Sequence, residues 1–300
     1  MTKVLITGAS GLIGLKLSDY FTRKSYDVNH LSRTISPKNP KRFKWNIKKG
    51  KVQLEALKDV DYLIHLAGAG ILDLPWTKTR KKELRSSRIK GTLLLYDAFK
   101  SIGHFPKAII CASAVGYYGL KDDSDILTES SPAATDFTGK LCADWEQSMD
   151  LFAEHSRLIK FRIGIVLDKA AKIIQKTQKP AKYGLLSSLG NGRQYMPWIH
   201  LNDLAELFSY AVHDDHLEGT YNAVAPDHTT NREFTREILK IHQKRQMVPN
   251  VPAPLLKMIL GERAGLLLYG SRISSQKIID KGFQFKYENI NTALAEIYDL

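Results

Sequence analysis

Residues 1–14 read MTKVLITGASGLIG, an apolar strand-like run over 4–8 that passes straight into glycines at 8, 11 and 14 and then into a helix beginning near Leu12. Physical chemistry gives the glycines separate tasks. One permits the tight turn, another lets the backbone approach a ligand, and Gly14 lets the helix pack closely on the strand. The helix N-terminus contributes free N–H groups and partial positive charge, which suits a phosphate. Glycine spacing alone is a weak sign; strand, loop and helix in immediate succession make it specific. Gly8, Ser10, Gly11, Leu12, Ile13 and Gly14 are therefore expected to hold the diphosphate of a dinucleotide.

Outward from this turn, strand-like runs at 27–32, 60–68, 107–113 and 157–167 alternate with helix-length segments at 12–24, 77–100 and 138–155. That alternation predicts an α/β fold, a Rossmann-type doubly wound parallel sheet. Polar turn material at 121–135, including Ser131 and Pro132, separates the last two units. The texture changes near 169: residues 169–191 are basic and show no clear period, and helices are expected at 201–213, 231–242, 254–260 and 289–298. The predicted organisation is a nucleotide-binding domain over 1–168 and a smaller, mostly helical C-terminal lobe over 169–300, with the chain returning to the sheet around 199–225. Ligands of open α/β sheets bind beyond the carboxyl ends of the strands, so such a lobe would close a substrate cleft.

Composition narrows the function. The chain has 44 Lys and Arg against 31 Asp and Glu, a net charge of +13, densest over 38–51 and 78–88. No zinc-finger or RNP signature interleaves aromatics with these cations, so they are read as a solvated surface plus an anionic small ligand, with no nucleic acid as partner. No run approaches the roughly 18 apolar residues of a membrane span, and the first residues read as a strand instead of a signal peptide. Cys111 and Cys142 are too few for a disulfide framework and point to a reducing cytoplasm. No His, Cys, Asp and Glu set has metal-ligand spacing, and no metal is expected.

The second strand ends at Leu31-Ser32-Arg33, where a protein preferring NAD usually carries an acid for the ribose hydroxyls. Ser32 and Arg33 suit a 2′-phosphate instead, so NADP(H) is the expected cofactor. Leu66, Ala67 and Gly68, closing the run at 60–68, are expected beside the cofactor as well, although small residues there serve tight packing equally well.

With GASGLIG (8–14), HLAG (65–68), SAVGYYG (113–119) and FTGKLCADWE (137–146), the chain resembles the extended short-chain dehydrogenase/reductases, and more narrowly their "epimerase family protein" branch. Trp76, the Ser87-Arg88 pair, GNGRQYMPWIHLND (190–203), YNAVAP (221–226), LLKMILGE (255–262) and GFQFKY (282–287) carry the narrower match, which spans essentially the whole chain. The resemblance implies an NADP(H)-binding, epimerase/dehydratase-like oxidoreductase acting on a small polar metabolite that the sequence does not name. It also implies a proton-handling Tyr-x-x-x-Lys pair assisted by a serine, the lysine holding the nicotinamide ribose. This sequence departs there, since the helix offers Phe137 and Lys140, and phenylalanine donates no proton. Sliding the register by one puts Asp136 at the tyrosine position, a poor substitute for a phenol.

What remains as catalytic candidates is Ser113, Lys140, Tyr117 and Tyr118. Both tyrosines are read either as replacements for the missing phenol or as aromatic walls of a pocket. Arg88 falls where relatives place an assisting asparagine and is read either as a substrate anion site or as an ordinary helix arginine. Residues 190–203 gather Arg193, Gln194, Tyr195, Trp198, His200 and Asp203. Arg193, Tyr195, Trp198 and His200 are expected to face a polar substrate, with a structural hydrogen bond as the alternative for His200, while Asp203 caps or staples the following helix. The loss of the tyrosine leaves a second possibility, an NADPH-binding sensor or assembly protein without turnover. Relatives also suggest a homodimer through the helices after the runs at 60–68 and 107–113.

Overall fold

The computed structural model describes residues 1–35, 41–120 and 125–300. The start of the basic stretch at 38–51 and of the polar turn at 121–135 therefore lie outside the described residues. In chain order the first half runs β1 (Lys3–Thr7), α1 (Leu12–Arg23), β2 (Asp27–Ser32), β3 (Arg42–Asn46), β4 (Lys51–Val52), β5 (Tyr62–His65), α2 (Lys78–Ser101), β6 (Ala108–Ala114), β7 (Ile126–Leu127) and α3 (Phe137–Met149). It continues with β8 (Arg157–Ile163), β9 (Ile165–Leu167), α4 (Lys172–Lys182), β10 (Trp198–His200), α5 (Leu201–His213) and β11 (Gly219–Ala223). The remainder is α6 (Asn231–Ile241), α7 (Ala253–Leu260), α8 (Gly265–Leu268), β12 (Arg272–Ile273), α9 (Gln276–Asp280) and α10 (Ile290–Ile297).

The main sheet has eight strands in the order β11-β8-β6-β5-β1-β2-β3-β4, parallel except for the β3–β4 pair. From β1 the chain moves one way to β2, and from β5 the other way to β6. Right-handed crossovers then put α1 and α2 on opposite faces, which is the doubly wound arrangement. Strands β1, β5 and β6 are almost wholly buried, as expected where helices cover both sides. Leu17 and Phe21 from α1, Leu95 and Phe99 from α2, and Trp145 and Met149 from α3 fill the two layers.

Three local features differ from the expectations. The run at 157–167 is two strands in two sheets. At Gly164 a Cβ would stand 2.5 Å from the Pro197 carbonyl oxygen, so only glycine lets the chain leave β11 there and pair with β10. The stretch expected without period contains α4, whose buried side is carried by Ile174 and Ala181 with half-buried Thr177 between them, a face too lightly apolar to stand out among the helix's four lysines. The sheet also gains β3, in a stretch that the alternation had left unassigned.

After β9 the chain returns to the sheet as β11, and the rest builds a second core of Trp198, Phe234, Ile238, Leu294 and Ile297. Asp203 staples this lobe to α5: its two carboxylate oxygens accept from the backbone N–H groups of Lys286 (3.1 Å) and Tyr287 (2.9 Å).

Candidate functional site

The glycine turn is tight because backbone crowds it on both sides. Gly8 sits at φ +72°, and a Cβ on it would lie 3.1 Å from the backbone of Leu66. At Gly14 a Cβ would come within 2.4 Å of the Gly8 carbonyl oxygen and 2.6 Å of Ala9 Cα. Gly11 differs: only the Gly8 oxygen, at 3.5 Å, would meet a side chain there. It is the N-cap of α1, with no side chain capping the helix and no acidic residue in the first turn. Ser10 and Gly11 are exposed, Leu12 and Ile13 half-buried. The amides and positive end of α1 thus open onto space shaped for close approach by an anion, and a pyrophosphate fits that cradle.

At the end of β2 the exposed Arg33 has no ion pair among the described residues, and Ser32 Oγ accepts from the Thr34 amide at 3.5 Å.

The loop after β5 is held by a buried relay absent from the sequence reading. Thr7 Oγ1 accepts from the backbone N–H groups of Leu66 (3.1 Å) and Ala67 (3.2 Å), which occupies its lone pairs. Its own proton therefore goes to His65 Nδ1, 2.7 Å away. His65 then carries its proton on Nε2 and donates to Thr92 Oγ1 (3.2 Å), which donates to the Arg88 carbonyl (2.9 Å). Burial pushes His65 down to about 4, so the ring is neutral at ordinary pH.

Beyond β6, Ser113 is 3% exposed and donates to Glu146 Oε1 at 2.6 Å. Glu146 is gripped by the fork of Arg162, Nε on Oε1 and Nη2 on Oε2, both at 2.9 Å. Arg162 Nη1 also donates to Tyr118 Oη (3.0 Å) and the Glu129 carbonyl (3.2 Å). Burial alone would lower Arg162, but the hydrogen bonds and charge of Glu146 raise it above its ordinary range. Tyr118 Oη donates to Asn222 Oδ1 (2.6 Å), and burial, partly offset by Arg162, pushes the phenol up to about 12. With its proton committed and its acidity lowered, Tyr118 is a structural member of this network and not a stand-in acid. Tyr117 lies with its ring 3.4 Å from Arg162 Cζ, half-buried and with no hydroxyl partner among the described residues. Neither Glu146 nor Arg162 was singled out by the sequence; a charged residue inside the β8 run was the available signal.

Helix α3 turns an unexpected face to the site. Lys140 is exposed, whereas Thr138, Cys142, Trp145 and Glu146 are buried. Two positions along a helix are about 200° of rotation, so Lys140 points away from the face that Thr138 presents. Around the turn after β6, a Cβ at Gly116 would meet Cys142 Sγ and Thr138 Cβ, each at 3.6 Å. The i, i+4 pair turned toward the end of β6 is therefore Thr138 and Cys142. The register built on Phe137 and Lys140 is corrected by one to two positions. Phe137 packs edge-on against Trp76 (4.9 Å between centroids), with the Lys81 ammonium over its ring. Asp136 is the α3 N-cap, accepting from Gly139 N–H at 2.8 Å, which removes it as a phenol substitute. Burial pushes the Cys142 thiol up to about 12, only partly opposed by Arg88.

Arg88 stands over this junction. Its Nη1 donates to the carbonyls of Ala69 and Leu84, both at 3.1 Å, and its guanidinium lies 4.9 Å from the Trp145 ring. A Cβ at Gly68 would sit 3.1 Å from Arg88 Cζ, so the small residue after β5 makes room for this side chain.

The second-lobe candidates divide. Trp198 is 1% exposed in the second core, donating to Thr229 Oγ1 at 3.0 Å. His200 is equally buried; its Nδ1 accepts from the Asn202 amide as the cap of α5 and its Nε2 faces Glu296 at 2.8 Å. Both expectations of substrate contact give way to structural roles. Buried Gln194 donates to the Leu189 and Leu267 carbonyls. Arg193 is exposed and Tyr195 half-buried beside Arg272. Among the described residues no His, Cys, Asp and Glu group could hold a metal ion, and no helix is long and apolar enough to cross a membrane.

Comparison with known proteins adds the relationship. The model of the NAD dependent epimerase/dehydratase family matches residues 4–147, and a domain of unknown function, DUF1731, matches residues 251–297. Epimerase family protein SDR39U1 of Mus musculus is 32% identical over 98% of this chain and 99% of its own length. Epimerase family protein Mb2239 of Mycobacterium bovis is 33% identical over 97% of this chain and 96% of its own. The crystal structure of human epimerase family protein SDR39U1 (isoform2) with NADPH superposes with a TM-score of 0.88 at 29% identity, covering 99% of both chains.

Proposed function

The chain belongs to the NAD-dependent epimerase/dehydratase family, and from that premise we propose that it is an NADP(H)-dependent oxidoreductase of epimerase or dehydratase type acting on a small polar metabolite. The observation that carries the reading is the uncapped N-terminus of α1, open at Gly11, lying one strand from Arg33, which has no ion pair among the described residues. The first suits a pyrophosphate and the second a 2′-phosphate. The human relative crystallised with NADPH supports the same choice. Ser10, Leu12, Ile13 and Ser32 complete the nucleotide contacts in this reading, with Leu66, Ala67 and Gly68 beneath.

Bound nicotinamide supplies the hydride donor or acceptor. The remaining work falls to side chains. Ser113 gives its proton to Glu146, so it presents lone pairs and takes a hydrogen bond from a substrate hydroxyl. Tyr117, whose hydroxyl has no partner among the described residues, offers its phenol to the substrate, while Arg193 and Tyr195 border the substrate from the second lobe. Two buried free cysteines agree with a reducing, cytoplasmic setting, and a homodimer through α2 and α3 is part of the same proposal.

A second reading, an NADPH-binding sensor without turnover, is favoured by one observation. Thr138 and Cys142 stand where a proton-handling pair would be, and neither exchanges a proton near neutral pH. Oxidation of NADPH with any member of a panel of sugars, aldehydes and ketones would exclude it.

Fluorescence titration with NADPH and NADH tests the main reading, with Arg33→Glu as the companion variant. NADPH should bind the wild type more tightly, and Arg33→Glu should weaken it roughly 10- to 100-fold while leaving NADH unchanged. No response to either nucleotide would refute the proposal.

A further inference from the structure

Charge is distributed unevenly over the second lobe. Residues 169–202 hold six Lys and Arg and no Asp or Glu, and residues 238–261 hold four and again no acid. The fold brings these stretches together, because α4 packs against α6 through Ile174, Ala181 and Ile238. Beyond the two helices the chain segments run side by side. The Met247 amide donates to the Gly184 carbonyl and the Val251 amide to the Ser188 carbonyl, both at 2.9 Å.

Two features of different chemistry meet where that pairing begins. Arg232, Arg236 and Lys240 stand four apart and so share one face of α6, and with Lys244 and Arg245 they line a groove that runs into the following loop. The carboxylate in its lining, Glu237, is shared by Arg236 (3.4 Å) and Lys240 (3.6 Å). Lys244 and Arg245, like Lys179 and Lys182 on α4, are exposed and have no ion pair among the described residues. Beside them stand Tyr183, Leu185 and Met247, each more than half exposed. These residues form one tip, since a Cβ at Gly184 would lie 2.8 Å from Met247 Sδ and 3.0 Å from the Arg245 carbonyl oxygen. One apolar side chain in water is ordinary, but three gathered at a cationic border mark a surface that a partner covers.

The combination selects the partner. A nucleic-acid backbone would engage the cations and leave the protruding apolar tip in water. A second copy of the chain, meeting this face about a two-fold axis, would set cation against cation. An anionic bilayer uses both features: its headgroups attract Lys and Arg, and the boundary between headgroups and acyl chains accepts Tyr, Leu and Met. Such a contact is made from one side and needs no spanning helix.

The geometry points to a peripheral membrane site on the second lobe. Tyr183, Leu185 and Met247 enter the headgroup boundary of a bilayer rich in acidic phospholipid, while Lys182, Lys244 and Arg245 pair with its anionic headgroups.

Co-sedimentation of the full chain with vesicles of phosphatidylcholine alone, and of equal parts phosphatidylcholine and phosphatidylserine, tests the site. The wild type should bind the acidic vesicles roughly 10-fold or more tightly than the neutral ones, and the difference should shrink as salt rises from about 0.1 to about 1 M. Lys182→Glu, Lys244→Glu and Arg245→Glu together should remove the binding. Tyr183→Ser with Met247→Ser, which keeps every charge, should weaken it roughly 10-fold. All five residues are exposed, so urea unfolding of both variants should keep the wild-type midpoint. Equal binding to the two vesicles, or none to either, would overturn the proposal, as would charge-reversed protein that sediments like the wild type. Wild-type affinity in the serine variant would overturn it too, because adsorption would then need no apolar tip. Tighter binding to a DNA duplex than to acidic vesicles at the same salt would assign the face to nucleic acid instead.

Discussion

Acidification should dismantle the loop under the cofactor through a single buried ring. His65 accepts at Nδ1 the only proton that Thr7 Oγ1 has to give, because that oxygen already takes the Leu66 and Ala67 amides. An imidazolium would place N–H against that oxygen and find no lone pair. The ring is held down at about 4 in the fold, against roughly 6.5 in an unfolded chain. Between those values the unfolded state binds more protons, so stability is full above about pH 6.5 and is lost as pH falls toward 4. At 1.36 kcal/mol per unit, the loss attributable to His65 is about 2.5 kcal/mol at a pH of about 4.5. Urea unfolding of the wild type and of His65→Gln, across pH of about 4.5 to 7.5, isolates the contribution because the other titrating groups are common to both. The gap between the two stability curves should close by that amount on acidification, and NADPH affinity of the wild type should weaken over the same window. Parallel curves would refute the proton assignment along Thr7, His65 and Thr92.

Two further perturbations test the packing around the site. Gly14→Ala drives a methyl to 2.4 Å from the Gly8 oxygen with only backbone to yield, so it should cost about 1–3 kcal/mol in urea unfolding and abolish the NADPH response; an unaffected titration would contradict the close-packed turn. Glu146→Ala strands Arg162, which is 4% exposed, as an uncompensated cation, and unfolding should show a loss of about 3–5 kcal/mol; a loss under 1 kcal/mol would mean that the fork is not formed in solution.

Much of the fold was legible because its signals are local. Strands such as 4–7 and 108–114 are apolar runs bounded by turns, and the helices at 201–213, 231–241 and 290–297 carry strong amphipathic faces. The features that escaped depend on contacts distant in sequence. Nothing within 157–167 announces that Gly164 meets Pro197, and nothing in α4 shows that Ile174 and Ala181 have a core waiting for them. Trp198 and His200 illustrate the reverse error: a cluster of aromatic and polar residues looks like a binding surface until tertiary packing encloses it around Thr229 and Glu296.

Helix α3 shows where letters and geometry part most sharply, and the consequence reaches the chemistry. Matching FTGKLCADWE by its lysine selects the exposed side of the helix, whereas burial selects Thr138, Cys142, Trp145 and Glu146, spaced as one continuous helical face. On that face the residues have neither a phenol nor an ammonium, but Glu146 reaches Ser113 and Arg162, and Trp145 supports Arg88. The site's hydroxyl and its cation are thus both positioned by α3 without being on it. Of the hydroxyls expected at the site, Ser113 is the one whose proton this face holds, through Glu146. That dependence separates the two functional readings: Glu146→Gln preserves shape while withdrawing the charged acceptor from Ser113, so it should depress turnover in an enzyme and leave NADPH affinity untouched in either case.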